Sequence, residues 1–240
     1  MTFYSKYRNF KFFKITNINE YHDNHQYITG QNGPNSSQIS NRLYFTDSAN
    51  IHKFYDKGIY LREIYLPFDH CDFFMIKEGN GFYANKIILG FRYILTDLDE
   101  NTCDKFGIIC PNFSCLLATA IQTTNIEFLQ KHKYQIIHDQ KIKSFDIGSY
   151  IYAADLASGL GKIEILNWLT NSCEDIRLNN IISTKTYFEI FRDMICGQNY
   201  EFKYSTKSVQ YASKYGHIQV LEWWENYMLK NNIVFHLQGK

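Results

Sequence analysis

One segment of this chain occurs twice, with six of its thirteen positions identical, and it constrains the fold more than any other feature. Ala157-Ser158-Gly159-Leu160-Gly161-Lys162-Ile163-Glu164-Ile165-Leu166-Asn167-Trp168-Leu169 aligns with Ala212-Ser213-Lys214-Tyr215-Gly216-His217-Ile218-Gln219-Val220-Leu221-Glu222-Trp223-Trp224. A weaker copy runs from Ala120 to Gln130, with Thr124 in place of the glycine and Lys131 in place of the tryptophan. Each copy reads as a helix ending in small residues, a glycine that can take the left-handed conformation of a tight reversal, and a second helix. Ile163 or Ile218 is expected to face inward, followed by Leu166 or Leu221 and by position 169 or 224, which makes an apolar stripe. A helix pair of this kind cannot bury its stripe alone, so the pairs must stack on one another.

The region before residue 99 has a different texture, with short apolar runs broken by Gly, Asn, Pro and Asp. Strands are expected over Phe10 to Thr16, Leu43 to Thr46, Ile59 to Leu66, Phe73 to Ile76 and Ala84 to Leu89. Tyr27 to Asn41 reads as a loop, and Lys77 to Gly81 as a turn between strands. Ala49 to Asp56 spaces Ile51, Phe54 and Tyr55 as a helix would, with Asp47 or Ser48 as N-cap and Gly58 as the stop. The fold class is therefore an α+β N-terminal domain, residues 1–98, followed by an all-α helical repeat array over 99–240. The repeat units centre near 113–132, 150–172 and 205–228, with an inserted helix near 184–196 carried by Tyr187, Ile190, Phe191 and Met194.

Composition excludes several classes of protein. Hydrophobic residues at 45% and charged residues at 20% predict a folded chain with a real core. The net charge is +1 and no Lys/Arg block exceeds two adjacent residues, so nucleic acid is not an expected partner. No apolar run approaches the length of a membrane span, and no membrane association is expected. The six cysteines form no CxxC pair and are read as reduced, mostly buried thiols of an intracellular protein.

Residues 212–224 closely resemble the diverged ankyrin-type repeats of giant amoeba-infecting DNA viruses of the mimivirus type. Gly216-His217 and Val220-Leu221 stand where ankyrin repeats carry Gly-His and the Val-x-Leu-Leu core. The N-terminal region resembles the leader domain that precedes many such arrays, through Phe13 to Asn17, Leu43 to Thr46, Tyr60 to Ile64, Leu66-Pro67 and Ala84 to Gly90. Departures lie in the stretch 35–42, which lacks the glycines and cysteine of the relatives, and in the spacing. Ala120, Ala157 and Ala212 stand 37 and then 55 residues apart, against about 33 in ankyrin arrays. The Thr-Pro-Leu-His opening is missing, so shortened or absent finger turns are expected. The resemblance implies a protein-protein interaction module acting on a host or viral protein, in the host cytoplasm or in the virion.

Trp223, Tyr215 and His217 are the candidate protein-binding residues. Trp224 continues the apolar stripe and is the core candidate, whereas Trp223 lies about 100° round the helix, where it can serve as an interface anchor. His217 is read chiefly as a structural residue that bonds nearby backbone. His22, Asp23 and His25 form a polar cluster that could hold a metal but lacks a second ligand pair, although His70-Cys71 lies further on. No catalytic motif, cofactor or metal site is expected, and the protein is read as non-enzymatic. One alternative is an NAD-binding, ADP-ribosyltransferase-like N-terminal domain, for which Tyr44, Thr46, Arg62 and Glu63 are the candidates. The other is a structural virion or scaffold component.

Overall fold

The computed structural model describes residues 4–22, 25–33, 42–143, 150–182 and 201–233. The inserted helix expected near 184–196 lies outside the described residues. The chain divides into two compact units, Met1–Thr119 and Ala120–Lys240.

The first unit is built on a seven-stranded sheet. Its strands are β1 (Phe12–Thr16), β4 (Gly30–Asn32), β5 (Leu43–Asp47), β6 (Tyr60–Tyr65), β7 (Met75–Glu78), β8 (Gly81–Ala84) and β9 (Ile87–Ile94). Their order is β4-β9-β6-β1-β5-β8-β7, with every pairing antiparallel. A separate two-stranded pair joins β2 (Tyr21–His22) to β3 (His25–Gln26).

All five residues of β1 are buried because both faces of the sheet are covered. Phe12 packs with Phe45, Ile64, Phe82 and Leu89 on one face. Phe13 and Ile15 pack on the other with Leu61, Ile51, Tyr55 and Leu95, and with Cys103 and Phe106 of helix α1 (Glu100–Phe106). Each such side chain taken from water contributes about 1.5–3 kcal/mol.

Four local expectations need correction. Gly30–Asn32 is a strand inside the expected loop, recruited by pairing with Ile87 to Leu89. The run Ala84 to Leu89 is divided between β8 and β9 at Asn85-Lys86. The segment after β5 is a 3-10 helix (Ile51–Lys57), with Asn50 at its N-cap and no side-chain cap bond. Gly58 after it is extended, with φ 176°, so no left-handed turn explains it; a Cβ there would collide with the Thr16 backbone. The expected β7–β8 turn is present: Gly79, with φ +58°, supplies the positive φ that a II′ hairpin needs at its first central position.

Paired helices begin at the end of the first unit and make up the second. Helix α2 (Phe113–Thr123) leads into α3 (Ile126–Lys131) and α4 (Lys133–His138), α5 (Ala153–Gly159) into α6 (Ile163–Ile182), and α7 (Lys207–Lys214) into α8 (Ile218–Lys230). A short hairpin of β10 (Lys141–Lys143) and β11 (Tyr150–Tyr152) precedes α5, where a shortened or missing turn was expected. Cys103 and Cys110 are paired as a disulfide with Cα atoms 5.7 Å apart, against the reading of all cysteines as thiols. Cys71 is exposed, while Cys173 is buried. Among the described residues, no helix is long and apolar enough to cross a membrane.

Candidate functional site

The repeated segment makes the same turn three times. Thr124, Gly161 and Gly216 all take the left-handed conformation, with φ of +54°, +71° and +73°. The amide of the following residue then donates to the repeat's alanine carbonyl: Asn125 to Ala120 (2.8 Å), Lys162 to Ala157 (2.9 Å) and His217 to Ala212 (2.8 Å). These are the long bonds of a Schellman-type helix end, and they satisfy carbonyls the helix would leave open.

The last pair departs from the expected stripe at its first position, and the first pair has the same exposed isoleucine, whereas Ile163 is half-buried. Ile126 is 40% exposed and Ile218 is 67% exposed, so both stand at the turn instead of facing inward. The buried positions lie two and three residues later in α6, at Ile165 and Leu166, and two and six residues later in α8, at Val220 and Trp224, with the expected Leu221 only half-buried. An opening helical residue projects over the turn that precedes it, which places this isoleucine at the rim of the pair.

The three candidate residues play different parts. Tyr215 is 55% exposed, with the Lys214 ammonium 5.3 Å from its ring centre. The His217 ring lies over Gly161, and its Nε2 is 3.0 Å from the Gly159 carbonyl oxygen of the preceding pair. Its role is thus a backbone bond, made between pairs. Trp223 is half-buried and donates its indole N–H to Asn167 Oδ1 at 2.7 Å. Trp224 is fully buried, as the stripe predicts, and its indole N–H donates to Ser158 Oγ at 2.9 Å.

Two buried polar residues hold the pairs together, and neither was singled out in the sequence. The Asp155 carboxylate accepts from the Ser205 amide (3.0 Å), the Ser205 hydroxyl (2.9 Å) and the Ser208 hydroxyl (2.5 Å). Gln140 donates to the carbonyls of Ile137 (3.2 Å) and Glu201 (2.8 Å) and accepts from the Lys203 amide (2.9 Å). Full satisfaction makes such groups tolerable in an interior. The only sequence signal for Asp155 is a lone acid among the small residues of Ala153-Ala154-Asp155-Leu156-Ala157.

Beside these joints the rings of Phe202, Tyr204, Trp223, Trp224 and Tyr227 form one cluster. Trp223 and Tyr227 stack at 5.3 Å with planes 4° apart, and Phe202 stands edge-on to both. All of these but Trp224 border a groove of about 700 Å³ whose rim carries Asn167 and Asn171. Burial raises the Tyr227 hydroxyl to about 12, helped by Tyr204, so it stays a neutral hydrogen-bonding group.

The NAD-site candidates do not converge. Arg62 and Glu63 are adjacent on β6 and point to opposite faces. Arg62 is buried beside Glu20 (3.3 Å) and donates to Thr29 Oγ1 (2.8 Å). Glu63 accepts from the hydroxyls of Tyr65 and Tyr93, each at 2.9 Å. Thr46 is buried and donates to the Asn80 carbonyl at 2.5 Å, while the Tyr44 ring packs on Tyr83 and Phe54. Of the polar cluster near residue 22, Asp23 lies outside the described residues. His22 and His25 are register partners in the backbone pairing of β2 with β3.

Comparison with known proteins finds relatives in Acanthamoeba polyphaga mimivirus. A protein of Acanthamoeba polyphaga mimivirus named for ankyrin repeats is 43% identical over 96 residues, covering 36% of this chain and 48% of its own length. An uncharacterized protein of the same virus is 43% identical over 97 residues, 37% of this chain and 70% of its own. Another named for ankyrin repeats is 35% identical over 217 residues, 79% of this chain and 35% of its own. The chain thus spans about half the length of the first of these and about a third of the last. No family model matches the chain, and no solved structure matches it.

Proposed function

This chain belongs to the mimivirus-type ankyrin-repeat family, and on that premise we propose that it is a non-enzymatic protein-interaction module. Its helix pairs are read as a short ankyrin-like array that presents a surface to a host or viral protein inside the infected cell. One observation carries this reading. The turns of the first and last pairs leave apolar side chains in solvent at equivalent positions, Ile126 and Ile218, with Tyr215 beside the last and the middle pair's Ile163 half-buried. Large apolar groups held out on a rigid repeat are what a binding face needs, and aromatic residues such as tyrosine are enriched among the anchors of interfaces.

The three candidate residues divide the work in this reading. Tyr215 touches the partner. His217 and Trp223 hold the surface in shape through Gly159 and Asn167.

The test is capture of partners by the full chain from a lysate of amoebae infected with such a virus, followed by direct binding to the purified partner. The double variant Tyr215→Ser/Ile218→Ser removes two exposed side chains and keeps the joints, so circular dichroism should be unchanged while binding falls at least about tenfold. A partner bound equally well by this variant would refute the placement of the face.

A further inference from the structure

The loop between β6 and β7 carries three different metal-ligating side chains in succession: the His70 imidazole, the Cys71 thiol and the Asp72 carboxylate. One ligand atom from each lies within 4.8 Å of the other two, and all three residues are exposed. An imidazole nitrogen of His70 touches a carboxylate oxygen of Asp72. The backbone beneath them is fixed. The His70 amide donates to the Pro67 carbonyl (2.9 Å), the Phe73 amide to the His70 carbonyl (3.0 Å), and the buried Asn85 side chain to the Asp72 carbonyl (2.6 Å).

A cation already sits in this cluster. The Lys86 ammonium donates to both Asp72 oxygens, at 2.8 and 2.9 Å, and stands 3.4 and 3.5 Å from the two His70 ring nitrogens. Two of the three donors, His70 and Asp72, thus already hold one positive charge.

We propose that His70, Cys71 and Asp72 bind a first-row transition-metal dication of the zinc class, with the Lys86 ammonium as the cation that the metal displaces. A mixed sulfur, nitrogen and oxygen set excludes magnesium and calcium, which take oxygen ligands, and suits zinc or cobalt(II). Three protein ligands leave the fourth tetrahedral position to water. Metal bonds of roughly 2.0–2.3 Å put tetrahedral ligand atoms about 3.3–3.8 Å apart, so rotation of exposed side chains must part the touching His70 and Asp72 atoms and draw in the farthest pair by up to about 1 Å. On binding, the Cys71 thiol gives its proton to solvent and the sulfur becomes a thiolate ligand. Lys86 keeps its proton and swings outward.

The experiment is a titration of the full chain with cobalt(II) under mild reduction, read by the thiolate-to-cobalt charge-transfer absorption and followed by competition with zinc. The expected result is a band that saturates at about one equivalent and disappears on adding zinc. Cys71→Ser should abolish it, and His70→Ala should weaken binding about tenfold or more. Lys86→Met should tighten binding about tenfold, because a competing charge some 4 Å from the metal is gone. Circular dichroism of each variant checks the fold. The site is overturned if wild type shows no band, or if the band survives in Cys71→Ser and comes from another cysteine. Displacement is overturned if Lys86→Met binds no more tightly than wild type.

Discussion

Trp223 reaches back one helix pair to donate its indole N–H to Asn167, at 2.7 Å, and Trp168 makes the same reach to Gln130, at 3.2 Å. In the alignment of the repeated segment, Gln130 and Asn167 are equivalent positions, as are Trp168 and Trp223. The tryptophan recurs because each copy must reach the amide of the copy before it. Substituting Trp223 therefore disturbs an internal joint as well as the surface.

A double-mutant cycle measures this joint. Trp223→Phe keeps the ring and removes the donor, and Asn167→Ala removes the acceptor. Each is expected to cost about 1 kcal/mol, with a coupling of about 0.5–1.5 kcal/mol, in denaturant unfolding. Additive losses would mean that the two side chains do not act through the bond.

Gly161 and Gly216 occupy the same left-handed position in different surroundings. A Cβ on Gly161 would stand 2.9 Å from Nδ1 of His217, whereas a Cβ on Gly216 would meet nothing within 4 Å. Gly216→Ala should cost about 1–2 kcal/mol from the backbone alone. Gly161→Ala should cost more, by about 1 kcal/mol or above, from the collision with the imidazole. Adding His217→Ala should relieve that excess in Gly161→Ala and leave Gly216→Ala unaffected. Equal costs for the two glycine variants would show that the ring yields freely.

Those glycines were legible in the sequence because a tight left-handed reversal admits few other residues. The buried Trp224 was legible because it continues the helical stripe. Ile218, which opens α8, is exposed and not inward, because spacing alone does not tell a helix's first residue, held over its turn, from one inside a turn of helix. Strand β4 was hidden since Gly30-Gln31-Asn32 has no strand character of its own and takes its conformation from Ile87 to Leu89. Asp155 and Gln140 act through contacts 50 and more residues away, which no local pattern records. The pairing of Cys103 with Cys110 follows from the turn after α1, where Gly107 takes φ +66° and folds the chain back.

Thr124 stands where the other two copies carry glycine, at φ +54°. A β-branched residue in the left-handed region is strained, whereas asparagine visits it readily. Thr124→Asn is therefore expected to stabilise the chain by roughly 0.5–1 kcal/mol, seen as a higher denaturant midpoint with an unchanged slope. A lower midpoint would show that the threonine side chain makes a contact worth more than its backbone strain.

Burial raises the Cys173 thiol to about 11, with the Gln140 amide and the Lys203 and Lys133 charges pulling weakly the other way. At pH 8 its thiolate fraction should be about a hundredfold below that of an ordinary thiol, and alkylation slower in proportion. Mass spectrometry of brief iodoacetamide treatment should find the exposed Cys71 modified well before Cys173, and denaturant should remove the difference. The same shift sets a direction for stability. The folded value lies above the unfolded one, so this contribution is complete below the ordinary thiol range and is lost as the pH climbs toward about 11. A Cys173→Ala variant should show a smaller loss of stability over that alkaline interval than wild type does. An identical alkaline decline in the two proteins would assign it to the tyrosines, of which Tyr227, at about 12, lies nearest in the same cluster.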